Sequence, residues 1–167
     1  MNATAEKPKT IDIRLIAPFV NSVRSVFATM VKVGTEVQKP RLKMQPAPSY
    51  DVSSIIGFSG QIVGSVVVSF QKEAAESLAS AFADTPLKLT DTDFADAIGE
   101  LANMIAGGAK TQLGSLASIT VPNVVIGSGH VVARLTDVPC IVIPCTTPVG
   151  DFAVEVNIKQ VAAQTGK

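Results

Sequence analysis

The chain has little of what most enzymes use for chemistry. In 167 residues it has one histidine, two cysteines, one tyrosine and no tryptophan. A zinc site built from several Cys and His side chains is therefore excluded, and so is a paired C-x-x-C redox centre. Cys140 and Cys145 stand five apart in "CIVIPC". On a strand that odd spacing sends the two thiols to opposite faces, which suits small buried hydrophobes in a reducing compartment better than a disulfide. Net charge is also absent, with 14 basic and 14 acidic side chains. No global basic field exists to draw in nucleic acid or an anionic membrane. No apolar run is long enough to cross a bilayer, and the opening "MNATAEKPKT" lacks the apolar core of a secretory signal. The expectation is a cytoplasmic protein.

What is present is a large apolar fraction, 47% of residues, against 17% charged. That suffices to bury the core of one compact domain, expected over residues 11–160 between short tails at 1–10 and 161–167. Charge is uneven along the chain: residues 1–43 carry eight basic and three acidic side chains, the remainder six and eleven. The basic residues are spread out, as on a solvated surface.

Periodicity places the elements. Phe19, Val23, Val26, Phe27 and Met30 recur at helical spacing in a first helix, with Gly34 as its stop and Pro18 as a kink or a new start. A proline-rich connector, "QKPRLKMQPAPSYD", leads to two β-branched runs, "SSIIGFSG" and "QIVGSVVVSF", which read as a hairpin. "QKEAAESLASAFADT" reads as a short helix. The stretch after it reads as a long one, capped by Thr90 or Thr92, with Asp91 and Asp93 in its first turn. "SITVPNVVIG", "CIVIPC" and "GDFAVEVNI" are the remaining strand candidates. Strands, helices and strands in this order predict an α+β fold, a two-layer sandwich of long helices on one face of a largely antiparallel sheet.

A weak internal repeat runs through this order. Laying Phe19 on Phe94 puts Asn21 on Asp96, Ser25 on Glu100 and Ala28 on Asn103, while "GSVVVSF" echoes "GDFAVEV". Both halves read as helix-plus-hairpin units.

The long helix carries the polar residues of interest. At 100° per residue, Ile98, Leu101 and Ile105 fall within about 40° of Phe94, whereas Asp96, Glu100, Asn103 and Gly107 fall about 180–240° from it. Such a stripe also marks any surface helix. Glu100 and Asn103, on adjacent turns, can act on one small target. Gly107 and Gly108 remove bulk one turn further on, letting a partner approach the backbone.

The order Asp-x-x-x-Glu-x-x-Asn on a helix, after a hairpin and before three strands, resembles the CheC, CheX and FliY family of chemotaxis phosphatases. Within it the chain is most similar to the CheX type, which carries the motif once, in keeping with a first repeat that lacks the polar trio. Family members also carry a proline after the asparagine; here Pro122, with eighteen residues intervening, stands closer than the family pattern. The resemblance implies a CheC-like sandwich that dephosphorylates the aspartyl phosphate of a CheY-type response regulator. It also implies that this chain binds no metal, since the regulator brings its own Mg²⁺. Asn103 would orient the attacking water, Glu100 would pair with the regulator's lysine, and Asp96 and Gly107 would belong to the contact surface. A homodimer joined through sheet edges is the expected assembly.

Two other readings are open: an adaptor that holds a regulator or a flagellar switch component without hydrolysis, and a small-molecule binding domain. A hydrolase built on His130 with Ser115, Ser118 or Ser128 is disfavoured, because no G-x-S-x-G turn is present and "GSGHVVARL" fits a hairpin turn. That stretch matches neither a dinucleotide nor a Walker phosphate loop.

Overall fold

The computed structural model describes residues 11–44 and 50–163; residues 1–10, 45–49 and 164–167, which include most of the two expected tails and part of the connector, lie outside the described residues. In chain order the elements are α1 (Ile13–Val26), a π-helical turn (Phe27–Val31), β1 (Glu36–Val37), β2 (Arg41–Leu42), β3 (Val52–Gly60), β4 (Ile62–Phe70), α2 (Lys72–Ala83), α3 (Thr92–Leu113), a 3-10 turn (Gly114–Leu116), β5 (Ala117–Ile119), β6 (Asn123–Ile126), β7 (Ile141–Thr147) and β8 (Gly150–Gln160). The strands form one sheet in the order β1-β7-β8-β4-β3-β5, with β2 also on β7 and β6 also on β3. Every pairing is antiparallel. This is the expected α+β sandwich.

Alternate strand residues fill the space under the helices. Val52, Ile56 and Phe58 of β3, Val66, Val68 and Phe70 of β4, and Phe152, Val154 and Val156 of β8 join Phe19, Phe94, Ile98 and Leu101 in one core. Phe152 stacks on both Phe27 and Phe70. At about 25 cal/mol per Å² of apolar surface, this layer is the main source of stability.

The internal repeat is visible in the sheet. The hairpins β3–β4 and β7–β8 lie side by side through β4 and β8, so their second strands meet at the middle. Matching Gly64 to Gly150 makes Val68 equivalent to Val154, and those two valines are paired directly across that seam. Both glycines adopt positive φ, 132° and 126°, a region that only glycine enters freely.

Some boundaries differ from expectation. Pro18 lies inside α1 without ending it. Helix α1 is capped by Asp12, whose carboxylate accepts from the Arg14 N–H at 3.1 Å. At its other end Lys32, with φ 58°, is the stop, and not Gly34. The Lys32 N–H donates to the Phe27 carbonyl at 2.8 Å, five residues back. That slip of one residue carries Val31 into the core at 2% exposure and leaves Met30 outside at 44%. Asp91, and neither threonine, caps α3; its carboxylate turns back to accept the Lys88 N–H at 2.7 Å. "SITVPNVVIG" is two short strands broken at Thr120–Pro122, as a proline without an N–H dictates. Part of the connector forms β2, and the two residues just before the connector form β1.

The second face of the sheet is covered by the segment 127–140, which docks on polar strand residues. Asn157 accepts the Leu135 N–H at 2.8 Å and donates to the Leu135 and Val138 carbonyls. His130 Nδ1 donates to the Gly127 carbonyl at 2.8 Å, so its Nε2 accepts from the Ser53 hydroxyl at 2.7 Å. Ser53 is joined in turn to Ser69 at 2.9 Å. His130 is thus a fastening of this segment; its partners are neither Ser118 nor Ser128, and the Ser115 side chain lies outside the described residues. Glu155, 3% exposed, sits on the same face between Lys43, 2.6 Å away, and Arg134. Cys145 faces the helix-side core, where burial pushes its thiol up to about 12, while Cys140 is half-buried and both are free. Among the described residues no helix is long and apolar enough to cross a membrane.

Candidate functional site

Helix α3 is held on several sides: α1 and α2 flank it, β3 lies beneath it, and β5 and β6 approach it laterally. Its buried arc is accordingly wider than the four apolar residues of the wheel. Ala97, Gly99, Ala102, Ala106 and Ala109 are buried as well, and their small size lets the neighbours come close. Gly108 belongs to this packing and not to the outer face. A Cβ there would fall 2.3 Å from the Ser22 Oγ of α1, whose hydroxyl donates to the Ile105 carbonyl at 2.7 Å.

What remains uncovered is the polar stripe. Asp96 and Glu100 are exposed and Asn103 is half-buried, and the three line one open groove of about 880 Å³. The opposite wall is mainly apolar, formed by Ile119, Val121, Pro122 and Val124 with Thr120 among them. Pro122 is therefore brought into the same groove as Glu100 and Asn103, despite its unexpected spacing. Gly107 lies one turn beyond, half-exposed, with no atom within 4 Å of where its Cβ would be.

The break between β5 and β6 positions the apolar wall. The Thr120 N–H donates to the Gly57 carbonyl at 3.0 Å, and the Gly57 N–H donates to Thr120 Oγ1 at 2.9 Å. This reciprocal clamp keeps the loop in register with β3. Pro122 then rests over Gly99, where a Cβ would meet the Pro122 Cγ at 3.3 Å. Gly99, Thr120 and Val121 were not evident as site residues from the sequence alone. The available signals were a glycine inside an otherwise good helix and a proline inside an otherwise good strand.

Chemically, the groove presents two carboxylates and one carboxamide, with no basic side chain on its walls. Thr120 Oγ1 accepts the Gly57 N–H and, among the described residues, has no basic side chain hydrogen-bonded to it that would activate it as a nucleophile. Such a groove favours a cation and can hold a water between the donor and acceptor edges of Asn103. Among the described residues no group of three His, Cys, Asp or Glu side chains is placed to hold a metal ion.

Comparison with known proteins gives three concordant results. Residues 52–146 match the family model described as chemotaxis phosphatase CheX. The CheY-P phosphatase CheX of Thermotoga maritima is 30% identical over 121 residues, covering 70% of this chain and 78% of that one. A CheC-like superfamily protein from Shewanella sp. PV-4 superposes with a TM-score of 0.80 at 29% identity, over 89% of this chain and 99% of that one. A structure of the CheX-CheY-BeF3-Mg²⁺ complex from Borrelia burgdorferi matches with a TM-score of 0.68 at 25% identity, over 87% and 98% of the two chains.

Proposed function

The chain belongs to the CheX family of chemotaxis phosphatases, and from that membership we propose that it hydrolyses the aspartyl phosphate of a CheY-type response regulator. The observation that carries this reading is the placement of Glu100 and Asn103 on adjacent turns of α3, side by side on the wall of an open groove. A relative caught with CheY in a Mg²⁺ complex supports the choice of partner.

In this reading α3 is laid against the regulator's phosphorylated site. In-line displacement at phosphorus depends mainly on positioning and charge neutralisation, and the regulator's own Mg²⁺ and lysine serve the second need. Asn103 serves the first. Its carbonyl accepts from the attacking water while its amide donates, fixing the oxygen in line with the phosphorus. The amide is too weakly basic to take the proton, so the gain is orientation alone. Glu100 pairs with the regulator's lysine and sets the approach of the two proteins. Asp96 adds a second carboxylate to the same wall, and Gly107 leaves room at the edge of the contact.

A homodimer through sheet edges completes the proposal. The β1–β2 edge is interrupted by Lys39 and Pro40, which discourage pairing, whereas β6 ("NVVI") carries no charge or proline and, among the described residues, has β3 as its one strand neighbour. The outer side of β6 is the proposed seam.

The test is a panel of phosphorylated CheY-type regulators incubated with the wild-type chain and with Asn103→Ala. Faster phosphate release by wild type alone supports the reading. Binding with no acceleration makes the protein an adaptor, and no interaction with any regulator overturns both.

A further inference from the structure

We infer that Val121 is a docking residue for the receiver domain, gripping the alkyl stem of the regulator's lysine and the apolar surface beside it. This rests on the function proposed above and deepens it by assigning the second wall of the groove.

Val121 is 82% exposed, although the groove's other apolar residues, Ile119, Pro122 and Val124, are half-buried. An isolated valine on a surface is ordinary, but this one is held in place from both sides. Thr120 on one side is clamped to Gly57 by two hydrogen bonds of 3.0 and 2.9 Å. Pro122 on the other side has a fixed φ and is seated on Gly99. The side chain is thus presented on a rigid loop and gives up little freedom when covered.

The two walls together define what fits between them. Asp96 and Glu100 favour a cation, and the facing wall is apolar apart from the Thr120 hydroxyl, which accepts the Gly57 N–H. A lysine satisfies both, because its ammonium can reach a carboxylate while its four methylenes lie along an apolar surface. A receiver lysine drawn to Glu100 would have its stem on the side of Val121 and Pro122. Val121 touches neither phosphorus nor water in this arrangement. It is a positioning residue that acts on affinity and on the choice among regulators.

The experiment uses the full chain with Val121→Ser, Val121→Asp and Val121→Ile, after circular dichroism has shown unchanged folding. Two quantities are measured: kcat and KM for a phosphorylated CheY-type regulator, and calorimetric Kd for the same regulator with beryllium fluoride and Mg²⁺. Val121→Ser is expected to raise KM and Kd about ten-fold, the factor for uncovering one valine side chain, with kcat within about two-fold of wild type. Val121→Asp raises both further, and Val121→Ile restores wild-type values. KM and Kd unchanged in Val121→Ser and Val121→Asp, with Asn103→Ala inactive, overturn this inference and leave the phosphatase reading standing. A fall in kcat at constant KM also overturns it. A wild-type chain no faster than Asn103→Ala overturns the phosphatase reading itself, and this inference with it.

Discussion

The ring of Pro122 sits directly over Gly99, so that a residue in a strand break fixes its distance from the helix bearing Glu100 and Asn103. One added carbon at Gly99 would stand 3.3 Å from the Pro122 Cγ, a contact that a shift of a few tenths of an ångström relieves. Gly99→Ala should therefore be close to neutral. Gly99→Val should cost about 1–3 kcal/mol, because the loop must leave its clamp. Denaturant unfolding of both variants, with turnover measured beside it, checks this. A fully stable and active Gly99→Val protein would contradict the packing.

If Asn103 orients the attacking water as proposed, Asn103→Ala should lower kcat by at least about 100-fold while leaving thermal stability and regulator affinity near wild type. Glu100→Ala should weaken regulator binding by about 2 kcal/mol, roughly 30-fold in Kd. Single-turnover phosphate release together with calorimetry separates the two roles. Equal effects on both quantities in both variants would count against the division of labour.

The neighbouring glycines should respond in opposite senses. Gly107 faces open space, so Gly107→Ala should stabilise the helix by up to about 1 kcal/mol while weakening regulator binding. At Gly108 the new Cβ would collide with the buried Ser22 hydroxyl 2.3 Å away, and Gly108→Ala should cost about 1–3 kcal/mol. Introducing Ser22→Ala removes the nearer atom, so the pair should be non-additive by about 1 kcal/mol in a double-mutant cycle. Strict additivity would rule out the contact.

Glu155 is the most demanding residue of the second face, buried between Lys43 and Arg134. Glu155→Ala leaves two nearly buried cations without it and should cost about 3–5 kcal/mol. The groove lies across the sheet, so activity per folded molecule should persist. Urea titration and turnover at low temperature test the two halves of this expectation. A small stability loss with complete inactivation would link the two faces.

Much of this was legible in the sequence, and the reasons are local. Period-two runs such as "SVVVSF" and "DFAVEV" were strands wherever they occurred, and helical spacing from Phe94 to Ile105 identified α3 and its outward stripe. What was illegible depended on partners distant in the chain. The exchange of Met30 for Val31 follows from a hydrogen bond that slips by one residue, which composition does not record. Gly107 falls on the polar stripe and Gly108 off it, but that Gly108 is needed for packing shows only through Ser22, more than eighty residues earlier in the chain. Likewise the glutamate in "FAVEVNI" indicates a buried ion pair only once Lys43 and Arg134 are seen to converge on it. The motif residues were recognisable. The groove was not, because its far wall is built on β3.

That far wall bears on how the molecule comes into being. Residues joined across the midline by β4 and β8 are about 80–100 positions apart along the chain, so this junction must close a far longer loop than either hairpin does. The groove spans the same divide, with α3 contributed by one half and its facing strands anchored on the other. A nascent or partly unfolded chain consequently has Glu100 and Asn103 without the facing wall, and the activity proposed for this groove requires the finished molecule.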